Sequence, residues 1–261
     1  MVDNTQGNEV GPQGAGSRER GAAWKPVARS STHRLVIDAI EDQIMTGALA
    51  VGDPLPPERE LASQLQVSRA GVREAIRVLE AYGVLHSAVG SGRGAGTFVS
   101  ALPSAALGQF LRLHVALSNF RLPDVIEARI LLERASSMLA AERADAGALA
   151  ELERLLAVMD APGVSREDFS EADTAFHVAI AQAGGNALFS ELTAAIRASL
   201  RAPILEGFTK VAQWEDVVGS LRAQHHEIYR AIASRRGEEA AELTVTHIRA
   251  ASALLPGLSA D

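Results

Sequence analysis

Residues 55–85 read LPPERELASQLQVSRAGVREAIRVLEAYGVL, and residues 90–99 read GSGRGAGTFV. The first run predicts two helices with a tight connection. Leu61, Ala62 and Leu65 recur at helical spacing in a helix over about Glu58–Leu65. Gln66 and Val67 make the connection. Ser68 stands where its hydroxyl can accept a free backbone N–H at the start of a second helix, Arg69–Ala81. Val72, Ala75, Ile76 and Leu79 form the buried stripe of that helix, and Gly83 is placed to end it. Val84–Val89 and Gly96–Ser100 then read as two strands around a glycine-rich turn, Gly90, Gly92 and Gly94. That turn has no Gly-Lys-Ser/Thr ending and does not sit between a strand and a helix, so it does not read as a nucleotide loop.

The opposite face of the second helix is basic. Arg69 and Arg73 are four residues apart and share one side, with Arg77 one turn further on. Arg-x3-Arg by itself is commonly a solvated helix face. Two short helices, a tight turn and a hairpin around it make a winged helix-turn-helix, where such a face suits the major groove. On Leu55, Pro56, Glu58–Ala62, Val67–Arg69, Val72–Ala75, Gly94 and Gly96–Val99 the stretch resembles the GntR family of bacterial transcription regulators. Pro57 departs from it, since serine is frequent there; proline is tolerated in a first helical turn. The resemblance implies that Arg59, Ser68, Arg69 and Arg73 contact double-stranded DNA, and that a wing tip with Arg93, Gly94 and Gly96 enters the neighbouring minor groove.

The rest of the chain is consistent with this reading. With 261 residues it has room for two domains, and with no cysteine it has neither disulfides nor thiolate metal sites. No apolar run is long enough to span a bilayer and the N-terminus lacks a signal-peptide core, so a cytoplasmic protein without a membrane partner is expected. Net charge is −7, with 10 Lys/Arg against 11 Asp/Glu over residues 1–101. DNA binding must therefore rest on a local cluster rather than a long-range field. Residues 1–24 read as a disordered arm. Residues 25–101 read as the winged domain, whose first helix runs from about Thr32 to Thr46 on Val36, Ala39, Ile40 and Ile44. Leu102-Pro103-Ser104 marks a boundary. Residues 102–261 hold about seven helices: 104–119, 122–144, 146–159, 165–183, 186–206, 214–235 and 238–254, with breaks at Pro123, Pro162-Gly163, Gly184-Gly185, Gly207 and Gly237. The predicted fold class is mainly α, a winged helix-turn-helix followed by an all-α bundle.

Asp173 and His177 in this bundle lie four apart on one helix, His225 falls in the next-to-last helix and His247 in the last. Three imidazoles and a carboxylate can close around a divalent transition metal, with zinc, nickel, copper or iron suited to imidazole. Singly, each histidine is more often a packed polar residue than a ligand. The bundle resembles the FCD domain, the ligand-sensing half of FadR-type GntR regulators, which carries Asp-x3-His and two later histidines. In this alignment His225 rather than His226 takes the ligand place. The resemblance also covers Arg129, Glu133 and Asn186. It implies a metal (zinc, nickel, manganese or iron) flooring a pocket for a small organic acid, with Arg129 and Asn186 as effector contacts, in a homodimer on a pseudo-palindromic operator. Arg129 has a plainer role open to it, an ion pair with Glu133 one turn on. The resulting expectation is a ligand-responsive transcription regulator, a repressor as most relatives are, and not an enzyme. The alternatives are a metal-dependent hydrolase, for which Glu171 would point away from the ligands, and a pure metal sensor.

Overall fold

The computed structural model describes residues 32–89, 95–100, 104–117 and 119–254. Among these residues lie ten helices and one two-stranded antiparallel sheet, so the chain is mainly helical, in the order read from the sequence. The N-terminal arm, the turn with Arg93 and Gly94, and the Leu102-Pro103 junction fall outside the described residues.

The N-terminal unit comprises α1 (Thr32–Met45), α2 (Glu58–Gln64), α3 (Arg69–Ala81), β1 (Leu85–Ala88) and β2 (Gly96–Val99). Its core takes the apolar stripe of each element: Val36, Ile37 and Ile40, Leu61 and Ala62, then Val72, Ala75, Ile76 and Leu79, closed by Leu85 and Val99. Burying these side chains supplies most of the stability of so small a unit. Ser68 caps α3, its Oγ accepting from the Gly71 N–H at 3.1 Å. Gly71 lets α1 approach, because a Cβ there would come within 2.7 Å of the Thr32 methyl group. α3 ends at Gly83, whose φ of +70° is the left-handed conformation that closes a helix. The strands pair Leu85 with Val99 and Ala88 with Gly96. Pro57 is the N-cap of α2 and no side chain caps that helix; Glu58 and Glu60 in its first turn offset the positive end instead.

The C-terminal bundle contains α4 (Ser104–Ala116), α5 (Leu122–Arg143), α6 (Ala146–Met159), α7 (Arg166–Ala183), α8 (Ala187–Lys210), α9 (Trp214–Ala233) and α10 (Gly237–Leu254). Asp145, Ser165 and Asn186 cap α6, α7 and α8 through their side-chain oxygens. α5 lies against α10 and α7, α7 against α6 and α8, and α4 runs along α8. The core is one cluster, with Leu152, Leu156, Phe169, Phe176, Ile180, Leu200, Ile228, Ile232 and Ile248 at its centre. Helix ends shift by a few residues from the sequence reading, α4 ending at Ala116 and α9 at Ala233, and the largest shift is in α8. The expected break at Gly207 is absent, and α8 runs through Pro203 and Gly207 to Lys210. Gly207 is buried against the core, so there it is a packing residue and not a terminator, while Lys210 pairs with Glu206 in the last turn.

Candidate functional site

On the winged unit, Arg59, Arg69 and Arg73 are all exposed, Arg59 on the first turn of α2 and the other two on α3. Arg73 is engaged. Its Nε and Nη2 donate to Glu58 Oε2 at 3.2 and 3.0 Å, which ties α3 to the start of α2. Arg77 makes a looser pair with Glu74 at 3.8 Å. The Ser68 hydroxyl oxygen is used in capping, and Gly96 opens β2 with φ +145°, a left-handed-region value that glycine takes without strain. Arg93 and Gly94 lie outside the described residues.

In the bundle three helices, α7, α9 and α10, bring Asp173, His177, His225 and His247 together, all buried, with one ligand-type atom from each lying within 4.8 Å of the others. Asp173 Oδ1 is the focus. His225 Nε2 donates to it at 2.9 Å, while His177 Nε2 and His247 Nε2 stand at 3.7 and 3.8 Å, beyond hydrogen-bond reach. The other ring nitrogens explain why. His177 Nδ1 donates to Glu133 Oε2 at 2.8 Å and His247 Nδ1 to Gln224 Oε1 at 2.9 Å. Each ring therefore carries its proton on the far side and turns a bare Nε2 towards the carboxylate. His177 Nε2 has no hydrogen-bond partner, although it is buried. His226, next in sequence, faces outward to Asp160 at 2.8 Å.

The electrostatics keep His177 and His247 neutral. Burial, and then the nearby Arg197 guanidinium, push His177 down to about 4, and burial with the neighbouring imidazoles lowers His247 well below its usual value. Burial alone would raise the Glu133 and Asp173 carboxyls. Arg197 in both cases, with Arg129 and His177 helping at Glu133, holds them well below the ordinary carboxylate range. Two bare nitrogens, His177 Nε2 and His247 Nε2, thus face an anionic oxygen that accepts from His225 Nε2. Neutral imidazole with ionised carboxylate is the ligating form. An N3O donor set fits a borderline divalent transition ion. Glu133 is the acceptor behind His177 that such a site uses to fix the ligand's tautomer and orientation.

Arg129 is buried, donates from Nε to Glu133 Oε1 at 2.9 Å, and lines a cavity of about 10 Å³ together with Asp173, Ile204, Phe208, Leu221, His247 and Ser252. Asn186 is not gathered with this cluster. Its Oδ1 accepts from Phe189 N–H at 3.2 Å as the α8 cap, about 16 Å along the helix from Arg197 at 1.5 Å per residue. Glu171 is exposed and ion-paired with Arg201, and Glu133 is engaged by three donors, so neither is a free general base. A larger hollow of about 330 Å³ lies between α1 and α2 of the winged unit, but its lining, Ile40, Leu49, Leu55 and Leu61 among others, presents no charged group to an acid.

Sequence reading missed Arg197. Its Nη1 donates to Asp173 Oδ2 at 2.8 Å, and its Nε and Nη2 donate to the two Glu133 oxygens at 2.9 and 2.8 Å. A signal was present: Thr193, Arg197, Leu200 and Ile204 share one face of α8, and an arginine within a buried stripe demands partners.

Comparison with known proteins bears on both units. The descriptions "Bacterial regulatory proteins, gntR family" and "FCD domain" match residues 32–99 and 124–250. The galactonate operon transcriptional repressor of Escherichia coli (strain K12) is 32% identical over 223 residues, covering 84% of this chain and 94% of its own. The HTH-type transcriptional regulator LutR of Bacillus subtilis (strain 168) is 29% identical over 219 residues, covering 82% of this chain and 96% of its own. Among solved structures, a Streptococcus agalactiae GntR protein superposes with a TM-score of 0.55 at 25% identity, over 84% of this chain and 98% of that one. No helix among the described residues is long and apolar enough to cross a membrane.

Proposed function

The chain belongs to the GntR family of bacterial regulatory proteins, with an FCD domain behind its winged helix, and from that premise we propose a homodimeric repressor whose hold on a pseudo-palindromic operator is set by a small organic acid bound at a metal in the bundle. It is a DNA-binding transcription regulator of the GntR/FCD type. In the proposal Arg69 and Arg73 read the major groove, Arg59 braces the phosphate backbone, and the wing with Gly96 reaches the minor groove. Asp173, His177, His225 and His247 hold the divalent ion, whose open position attracts a carboxylate, and Arg129 receives the other end of the acid.

The observation that carries the sensing half is the convergence of bare Nε2 atoms on Asp173 Oδ1. The charges support an anion. Arg129 and Arg197 balance Glu133 and Asp173, so a divalent ion leaves the buried cluster with two positive charges in excess. The cavity of about 10 Å³ holds no more than a single water, so an acid has to displace its walls, Ile204 and Phe208 on α8 among them. α4 packs along α8 and follows the wing directly in the chain, so a shift of α8 moves the element that carries the winged domain. The same small cavity favours a second reading, a sensor of the metal alone.

Selection from a random duplex library with wild type and an Arg69→Ala/Arg73→Ala double variant tests the first half. Wild type is expected to enrich one pseudo-palindrome and the folded double variant none; equal enrichment removes both arginines as readers. With that operator in hand, metal and candidate acids are titrated separately. An acid that weakens operator binding only when metal is bound supports effector sensing, whereas a full response to chelation, unchanged by any acid, supports the metal sensor.

A further inference from the structure

Arg197 is deeply buried on α8 and reaches two other helices at once, Glu133 on α5 and Asp173 on α7. We infer that Arg197 is a positioning residue that keeps this centre assembled without its metal and restricts Asp173 to ligation through one oxygen. The inference rests on the proposed metal site. Asp173 offers two oxygens. Arg197 Nη1 occupies Oδ2 at 2.8 Å, and Oδ1 is the atom on which the three Nε2 atoms converge. The carboxylate thus presents a single ligand atom, and the ion keeps more of its coordination sphere for exogenous groups.

The same guanidinium settles the charge of these side chains. Two arginines and two carboxylates cancel, and the three imidazoles need no counter-ion when neutral. The buried cluster therefore requires no metal to avoid an unpaired charge, unlike small domains whose folding depends on the ion. Its effect on affinity has a definite sign. Glu133 behind His177 raises the basicity of a ligand, which strengthens metal binding. A cation on Asp173 withdraws electron density from a ligand and repels the incoming ion, which weakens it. The two supports of the site are thus opposed, and a site held below its maximal affinity can exchange its ion and respond.

The test uses full-length protein and cobalt(II), read by competition against a chromophoric chelator and by the visible cobalt spectrum. Chelated wild type is expected to stay folded, with a cooperative melt, and to bind one cobalt per chain. Arg197→Gln is expected to bind cobalt about tenfold more tightly or better, to gain more in melting temperature from the metal than wild type does, and to show weaker visible bands as Asp173 becomes a two-oxygen ligand. Glu133→Gln should move affinity the other way, by about tenfold or more. Unfolding of wild type on chelation overturns the inference, as does equal or weaker cobalt binding by folded Arg197→Gln. The wild-type arm decides the first half even if the variants do not fold. A wild type that binds no cobalt, or binds it unchanged after His177→Ala, instead sinks the metal site itself.

Discussion

Arginine meets carboxylate in both halves of this molecule, with opposite consequences. Arg73 and Glu58 pair on the winged unit with side chains 57% and 38% exposed, where water and salt screen them and little stability is at stake. Arg197 pairs with Glu133 and Asp173 with its side chain 1% exposed, where neither charge has water to fall back on. The contact distances are alike, 3.0 Å in one case and 2.8 Å in the other. Burial, rather than geometry, decides what the pairs do. The exposed pair can only orient a side chain that the proposal places against DNA, whereas the buried pairs tie three helices together.

The largest break in that contrast comes from Glu133→Ala. It strips Arg129, Arg197 and His177 of a shared acceptor inside the core. Removing one partner of a buried ion pair typically costs about 3–5 kcal/mol, and the metal-free bundle is expected to lose at least that much in urea denaturation. A loss under about 1 kcal/mol would mean that water reaches the cluster, and the contrast with Glu58 would fail.

The two halves also differ in how far the sequence discloses them. The winged unit is legible because its elements are short, its stripes are clean and its turns carry capping and glycine signals at Ser68, Gly47 and Gly83. The helices of the bundle are legible to within a few residues for the same reason, except where buried Gly207 mimics a break inside α8. The spacing of Asp173 and His177 puts both on one helix face, which by itself is a weak sign of a metal site. Grouping His225 and His247 with them rested on a family resemblance, since no spacing rule links candidate ligands on three different helices. Arg197 and Gln224 were missed because their roles exist only once α8 and α9 pack against α7 and α10.

A smaller effect separates the halves by pH. His177 titrates at about 4 in the folded bundle and near 6.5 when unfolded. Between these values the unfolded chain binds a proton that the native one refuses, so stability falls as pH drops from 6.5 to 4. Glu133 and Asp173, with folded values held down, add loss in the same direction at lower pH. At about 1.4 kcal/mol per unit, His177 alone removes about 2 kcal/mol by pH 5. Melts of chelated protein at pH 7.5 and pH 5 should show a lower bundle transition at pH 5, and His177→Gln should flatten that dependence. None of the winged unit's described buried residues is ionisable, so its own transition should move little. Equal shifts in both would assign the acid sensitivity to net charge instead.

Glu58→Gln is the smallest perturbation and the sharpest probe of the exposed pair. It leaves the shape of α2 and removes one negative charge beside Arg73, so the melting temperature should not change. DNA binding should change in a specific way. With Glu58 ionised, Arg73 is anchored through Nε and Nη2, which limits its reach to a few orientations. It also faces a carboxylate that disfavours resting against phosphate. Freed by the substitution, Arg73 can swing to phosphates of any sequence. Affinity for random duplex should therefore rise, with a steeper dependence on salt between about 50 and 200 mM, while operator affinity changes less. The measured quantity is the ratio of operator to random-duplex affinity, expected to fall severalfold. A ratio that holds at every salt concentration would reduce the Glu58–Arg73 pair to a surface contact, and would leave burial as the only property that gives an arginine–carboxylate pair a function in this protein.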